Sequence, residues 1–524
     1  MDVTPFHLHM LELIQTHAWE QARNGLEARL ADHPHEAMTL RFLARLEILK
    51  GNYGKALELL DHAVKFHGGM DEKIEKALLV APIPGSTAMI NDLRGRMLSE
   101  IRALEQSGEQ IRGPVEMLHI PSFYLAYQGR NDRSLQEGIA GLLLKAVPSL
   151  AFTAPRCTQG RPRPEENLRI GLCSNNLRNN SVGLFYLGLV PALKAQGFEI
   201  HLFRTPAGGS DRITQRYIES ADHDTLLSPS LETARRQIAD KALDILFYPD
   251  LTVHPLVNWL AFARLAPVQM TSWGHPVTSG LPQVDYYITS RLMEGENPQD
   301  HYSEQLVELS ALPCCYSPPR LLSSPAERRH FRLPEKGAIY CCGHQAFKFH
   351  PDFDALLGQI LRKDPTGTLV LINGWGEPNH GRLLETRIKS ANPDVAGRIL
   401  MLGRMSTIQY LAMTRLSDVH LDPIWFGGGR TSFDLLSNGN IIVTWPGPFQ
   451  RGRVTGACLS RMGVDECIAE DWEDYADKAV EFANNGTLRL QTREKITRNA
   501  HLIFDHPTFI EEMTAFMRQA VART

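Results

Sequence analysis

The chain has 524 residues, 43% of them hydrophobic and 22% charged, enough for about three or four folding units at roughly 100–200 residues each. Lys+Arg number 55 and Asp+Glu 59, a formal charge of −4, so no broad positive field is available to hold nucleic acid. The composition also excludes disordered, fibrous and collagenous classes.

The eight cysteines form no CxxC pair and have no Cys/His spacing suited to zinc; reduced, mostly structural thiols are expected. The start, Met1-Asp2-Val3-Thr4-Pro5, lacks the basic region and apolar core of a signal peptide. The most apolar stretch, 256–268, is interrupted by Asn258 and Arg264. A soluble cytoplasmic protein without a membrane span is the expectation.

Through residue 110, Leu, Ala and Ile recur at three- and four-residue spacing, the pattern of amphipathic helices. Ala22 and Ala56 lie 34 residues apart, as do Pro34 and Gly68, and this is the period of a tetratricopeptide (TPR) repeat. Gly51-Asn52-Tyr53-Gly54-Lys55-Ala56 suits the turn between the two helices of such a repeat. Two degenerate repeats are expected, 3–34 and 37–68, followed by a less regular helical pair; a plain helical bundle fits the same spacing. Residues 111–165 read as a connector, with the run Pro121-Ser122-Phe123-Tyr124-Leu125-Ala126-Tyr127-Gln128-Gly129, an amphipathic helix over 133–145 and a Pro/Arg-rich linker at 158–164.

From residue 166 short apolar strands alternate with helices, as in βαβ units. Strands are expected at 168–173, 199–203, 244–248, 269–273 and 286–288, with a helix over 182–196. A second set follows at 338–342, 367–372, 399–402, 419–421 and 441–444, and a closing helix spans 508–521. The fold class is therefore α/β: two Rossmann-like lobes, 166–330 and 331–524, facing a cleft at the carboxyl ends of their strands. An all-α TPR-like region, 1–110, and the connector precede them.

After the strand at 419–421 comes Asp422-Pro423-Ile424-Trp425-Phe426-Gly427-Gly428-Gly429-Arg430-Thr431-Ser432-Phe433-Asp434. A Gly-rich turn feeding a helix exposes backbone N–H groups at the positive end of the helix dipole, a site for phosphate. Arg430, Thr431 and Ser432 would add a cation and two hydroxyls; Asp434, one turn in, could serve a ribose or favour the helix start. In Cys342-Gly343-His344-Gln345-Ala346-Phe347-Lys348, Lys348 follows the opening strand of the same lobe and could neutralise a departing diphosphate. On the first lobe, 174–181 is a polar loop entering a helix. His275, in Trp273-Gly274-His275-Pro276-Val277-Thr278-Ser279-Gly280, could orient a sugar or acceptor, move a proton, or cap a turn. Asp222-His223-Asp224 matches a short DxD metal signature but falls between a helix and a strand, and no metal site is expected. There is no HExxH, GxxxxGK[ST] or GxSxG.

These motifs, with Arg264-Leu265-Ala266-Pro267-Val268-Gln269, Val284-Asp285-Tyr286-Tyr287-Ile288-Thr289, Asp418-Val419-His420-Leu421-Asp422 and Val443-Thr444-Trp445-Pro446-Gly447, form an ordered series. It resembles the catalytic region of glycosyltransferase family 41, the O-GlcNAc transferase and SPINDLY-like proteins, in which a TPR region precedes a GT-B core. The resemblance implies that Lys348 contacts the donor diphosphate, Gln345 binds donor, Gly427, Gly428, Gly429 and Thr431 form the phosphate turn, and Asp434 meets the donor ribose. It places Tyr410 near a residue packing on uracil and Asn180 where the animal enzymes have a histidine near donor and acceptor. Gly429-Arg430 replaces the His-Thr of those enzymes. His275 replaces their Tyr and is similar to the bacterial protein N-glucosyltransferases.

The resemblance further implies a metal-independent, inverting transfer of a sugar, most simply GlcNAc from UDP-GlcNAc, to Ser or Thr of a protein acceptor that the TPR-like region could hold. No cofactor is expected beyond the nucleotide-sugar donor. Two alternatives stand beside it: glucose transfer to Asn, or of another activated sugar to a surface or flagellar protein; and an interaction protein whose GT-B core no longer turns over.

Overall fold

The computed structural model describes residues 4–16, 18–158, 168–318, 327–372, 378–504 and 506–524. Beyond Thr158 the expected linker at 158–164 lies outside the described residues.

Six helices open the chain: α1 (Pro5–Gln15), α2 (Trp19–Asp32), α3 (Ala37–Leu49), α4 (Tyr53–His67), α5 (Met70–Ala77) and α6 (Thr87–Ser107). The first four pair as two hairpins in the expected 34-residue frame, with Ala22 and Ala56 fully buried at equivalent points where only a small side chain lets the helices approach. Gly68 ends α4 in the left-handed conformation at φ 61°, the usual glycine stop. Charges hold the next junction. Glu75 of α5, 3% exposed, takes Arg41 at 2.7 Å and Arg45 at 2.8 Å from α3 and the His119 amide at 2.8 Å from the connector. Such a buried cluster is costly to break because a lost partner strands a desolvated charge.

The first sheet has seven parallel strands: β1 (Arg169–Ser174), β2 (Glu199–Arg204), β3 (His223–Leu226), β4 (Ile245–Tyr248), β5 (Val268–Ser272), β6 (Tyr286–Ser290) and β7 (Gln305–Leu309), in the order β3-β2-β1-β4-β5-β6-β7. The second has five: β8 (Ile339–Cys342), β9 (Thr368–Ile372), β10 (Ile399–Leu402), β11 (Val419–Leu421) and β12 (Ile442–Val443), in the order β10-β9-β8-β11-β12. The central strands are almost wholly buried, as in a sheet covered on both faces, even where they carry polar residues such as Gln269 and Thr271 of β5. Two strands go beyond the sequence reading. The edge strands β3, HDTL, and β7, QLVEL, carry exposed polar residues and so lack that apolar signature.

The helix expected over 182–196 is two, Ser181–Phe185 and Leu189–Ala195. Between them Gly188 lies so close to the crossover that an added Cβ would sit 2.9 Å from Cys315 Cβ. The closing helix, His506–Ala522, returns to the first lobe. Glu512 accepts from the Ser310 amide at 2.9 Å, and Phe516 meets Tyr286 edge-on at 5.0 Å.

The helical region also docks on the second lobe. Thr87 donates to Asp352 at 2.5 Å, Arg387 to the Pro84 carbonyl at 2.8 Å, and Asn379 to the Lys50 carbonyl in the α3–α4 turn. No helix among the described residues is long and apolar enough to cross a membrane.

Candidate functional site

β11 delivers Asp422 to the carboxyl edge of the second sheet, and the loop beyond it is built around that carboxylate. Asp422 Oδ1 accepts from the Gly428 amide at 2.6 Å, and Oδ2 from Thr444 at 2.8 Å. Burial raises its pKa, opposed by these donors and by Lys348. The Gly427 amide is spent on the Arg451 carbonyl at 2.8 Å. These two glycine amides therefore fix the loop. The amides of Gly429, Arg430 and Thr431, at the open start of helix Arg430–Ser437, have no acceptor among the described residues. They are the donors free for an anion.

The loop is held in a conformation it would not adopt alone. Trp425 has φ 70°, left-handed for a bulky residue, a strained state that needs surrounding structure to enforce it. Trp445 at 5.1 Å and Trp472 at 6.3 Å meet its ring edge-on, and the connector's Gly129 leaves it room: an added Cβ would fall 2.7 Å from Trp425 Cγ.

Lys348 ends a short turn after β8. Its Nζ donates to the Gly427 carbonyl at 2.7 Å and lies 4.6 Å from the Phe426 ring centroid. Burial pulls its pKa down to about 8, against Asp422; the ammonium stays charged at neutral pH. Gln345 caps that turn, its carbonyl accepting the Lys348 amide at 2.9 Å. Behind the loop, His344 Nε2 is 3.9 Å from Asp422, and burial holds the imidazole neutral.

The polar residues of the helix start divide in a way spacing does not reveal. Ser432 is buried and shares a hydrogen bond with Thr455 at 2.7 Å, and Arg430 turns back to Asp434 at 3.3 Å. The Thr431 hydroxyl has no partner among the described residues. Asp434 also accepts from Tyr316 of the inter-lobe crossover. Burial raises its pKa, opposed by Tyr316 and Arg430. Tyr410 packs over Gly343, where an added Cβ would lie 2.8 Å from its ring. Its hydroxyl is buried without a partner among the described residues, and its surroundings include the charges of Asp434 and Arg430.

The first lobe faces this edge. Asn180 caps helix Ser181–Phe185, accepting from the Gly183 amide at 2.9 Å, and donates to Asn176 at 2.7 Å; Asn176 in turn donates to Asp250 at 2.5 Å. Burial lifts Asp250 to about 6. Phe185 of the same helix stacks on Trp273 at 4.7 Å, and a Cβ on Gly429 would lie 4.0 Å from its ring. His275 is buried and stacked on Phe123 of the connector at 4.6 Å, its Nε2 without a partner among the described residues. Burial first, then the charges of Arg451 and Lys348, pull its pKa to about 3. The imidazole is neutral and weakly basic.

Apart from Asp222, His223 and Asp224 at the edge strand of the first sheet, the residues singled out from sequence lie toward the facing edges of the two lobes, with Ser432 and the Gly427 and Gly428 amides behind them. Sequence reasoning missed the aromatic floor. Tyr127 stacks on Phe426 at 4.3 Å and meets Phe347 at 4.7 Å, which explains the aromatic run of the connector. It also missed Asp422, whose position directly before the glycine turn was the available signal.

Residues 320–513 match the model of Glycosyl transferase family 41. The chain is 24% identical over 365 residues, 66% of its length and 36% of the relative's, to the probable UDP-N-acetylglucosamine–peptide N-acetylglucosaminyltransferase SEC of Arabidopsis thaliana. It is 26% identical over 291 residues, 53% of its length and 30% of the relative's, to the similarly named SPINDLY of Eustoma exaltatum subsp. russellianum. The chain spans about a third of the length of these curated relatives. A mutant O-GlcNAc transferase of Thermobaculum terrenum shares the fold, with a TM-score of 0.74 at 23% identity, over 99% of this chain and 98% of that one. The second lobe is thus similar to glycosyl transferase family 41, and the chain shares its two-lobed GT-B architecture with the Thermobaculum terrenum transferase.

Proposed function

We propose that this protein is a metal-independent, inverting protein glycosyltransferase that moves a sugar, GlcNAc from UDP-GlcNAc in the simplest reading, to Ser or Thr of a protein acceptor. The observation that carries it is the half-buried Lys348 ammonium set on the Gly427 carbonyl, in the same loop as three helix-start amides that have no acceptor among the described residues. The names of the SEC and SPINDLY relatives support the donor and the acceptor class. We assign donor binding to the lobe 331–524 and acceptor holding to the cleft with the TPR-like region 1–110.

In this reading the acceptor hydroxyl attacks the anomeric carbon as the bond to the donor diphosphate breaks, and the hydroxyl proton passes to a phosphate oxygen of the departing diphosphate. Negative charge grows on the departing oxygens, where Lys348 and the Gly429, Arg430 and Thr431 amides stabilise it without proton transfer. Asp434 and Tyr410 flank the nucleoside end, and Gln345 lies on the donor side of Lys348. Asn180 and neutral His275 face the sugar and acceptor. At a pKa of about 3 His275 suits orientation by hydrogen bonding better than proton abstraction.

The test is transfer by the purified chain from labelled UDP-GlcNAc and UDP-glucose to proteins of a cell extract, read by mass and by the residue modified. N-acetylhexosamine on Ser or Thr supports the proposal. Hexose on Asn would replace its donor and acceptor with the N-glucosyl alternative, and donor binding without any transfer would favour the non-catalytic one.

A further inference from the structure

On the outer edge of the first sheet, away from the cleft, three metal-ligating side chains meet. Glu199 and His201 are two apart on β2, so the strand's period of two puts both on one face. His223 of β3 is the direct register partner of His201, which sets it on the same face. Glu199 Oε1 lies 2.9 Å from His201 Nε2 and 3.3 Å from His223 Nε2. The three ligand atoms fall within 4.8 Å of one another, which no other trio of His, Cys, Asp or Glu matches among the described residues.

We propose that Glu199, His201 and His223 bind a borderline divalent cation, Zn2+ foremost, at this sheet edge. Tetrahedral zinc with nitrogen and oxygen bonds of about 2.0–2.2 Å holds its ligand atoms roughly 3.4 Å apart, close to the spacings already present. Two imidazoles with one carboxylate select zinc, nickel, cobalt or copper over magnesium. His201 is buried, its Nδ1 has no partner among the described residues, and its Nε2 meets Glu199 Oε1 at 2.9 Å; a cation between them would replace that hydrogen bond, with the ring proton on Nδ1. The His223 side chain is 51% exposed and that of Glu199 31%, which leaves an entry path and room for water as a fourth ligand.

The nearby charges permit it. Arg169 takes the other Glu199 oxygen, Oε2, at 3.1 Å, leaving Oε1 for the cation in monodentate fashion. Lys194 is paired with Asp222 at 2.8 Å and Arg204 with Asp224 at 2.7 Å. The two carboxylates of the DxD sequence are thus occupied by cations, and its histidine is the residue that faces a metal. Since β3 is a four-residue edge strand, a cation here would clamp it to β2.

The experiment uses the full chain, tag-free and stripped with chelator, titrated with Zn2+ by calorimetry and with Co2+ by visible absorption. Saturation at one ion per chain is expected, with a tetrahedral Co2+ spectrum free of thiolate bands and a rise in Tm on adding zinc. Glu199→Gln and His223→Ala should each weaken binding at least tenfold and abolish the Tm rise, while melting like wild type in chelator. Absence of saturable binding, or saturable binding that both variants retain, would overturn the proposal.

Discussion

The Lys348 ammonium donates to the Gly427 carbonyl at 2.7 Å while resting 4.6 Å from the Phe426 ring centroid. A cation so placed is held by the loop that would receive the diphosphate, and it needs no rearrangement to meet charge developing there. Lys348→Ala should therefore lower kcat by about 10²–10³, with a smaller change in donor KM. Lys348→Arg should not restore the rate, because a planar fork cannot replace a compact point charge between a carbonyl and an aromatic face. Single-turnover kinetics check both.

Burial depresses Lys348 to about 8, and the charged form is the working one. kcat/KM, which reports the free enzyme, should fall as pH rises through about 8. Donor diphosphate favours the ammonium, so the limb in kcat should lie at higher pH. His275, neutral from about pH 3 upward, should add no limb between pH 5 and 8. A pH profile of both parameters decides the matter.

Gly428 touches the supports of the loop. A methyl there would fall 2.0 Å from Ser432 Oγ and 3.2 Å from His344 Cε1. Gly428→Ala should weaken donor binding at least tenfold, and adding Ser432→Ala should recover part of it by removing the clash. The double-mutant cycle, read by calorimetry, should show a coupling of about 0.5–3 kcal/mol.

Glu75→Ala strands Arg41 and Arg45 and should cost about 3–5 kcal/mol of stability by denaturant unfolding. Burial pushes the Glu75 carboxyl up, and Arg41 and Arg45 outweigh it to hold it at about 2. A depressed carboxylate contributes its stability above its unfolded value near 4.5 and loses it as pH falls toward 2. The wild-type acid transition should accordingly flatten in the variant.

The sequence is explicit where physics leaves a periodic mark. Apolar runs locate β1, β4 and β8 because both sheet faces are covered, and the 34-residue frame of Ala22 and Ala56 survives as two hairpins. It is silent where one face meets water, as in β3 and β7. It is also silent on which donors are free. Gly427, Gly428 and Gly429 look alike in sequence, yet the first two amides are consumed by Arg451 and Asp422 and the third is open. Arg430 and Ser432 look like phosphate ligands until Asp434 and Thr455, four residues and a helix away, claim them. Arg430 and Asp434 stand four apart on one helix, a spacing the sequence does show, whereas distant partners such as Thr455 and Arg451 follow from the fold and have no local signature.

The central claim is that Lys348 and the open helix start form the donor diphosphate site. Calorimetric titration of wild type and Lys348→Ala with UDP, UDP-GlcNAc, UDP-glucose, GDP-fucose and a CMP-sugar tests it most directly. The account predicts selective binding of uridine nucleotides, weakened at least tenfold by the substitution. Equal affinity in the two proteins, or no binding by any of the five, would contradict it.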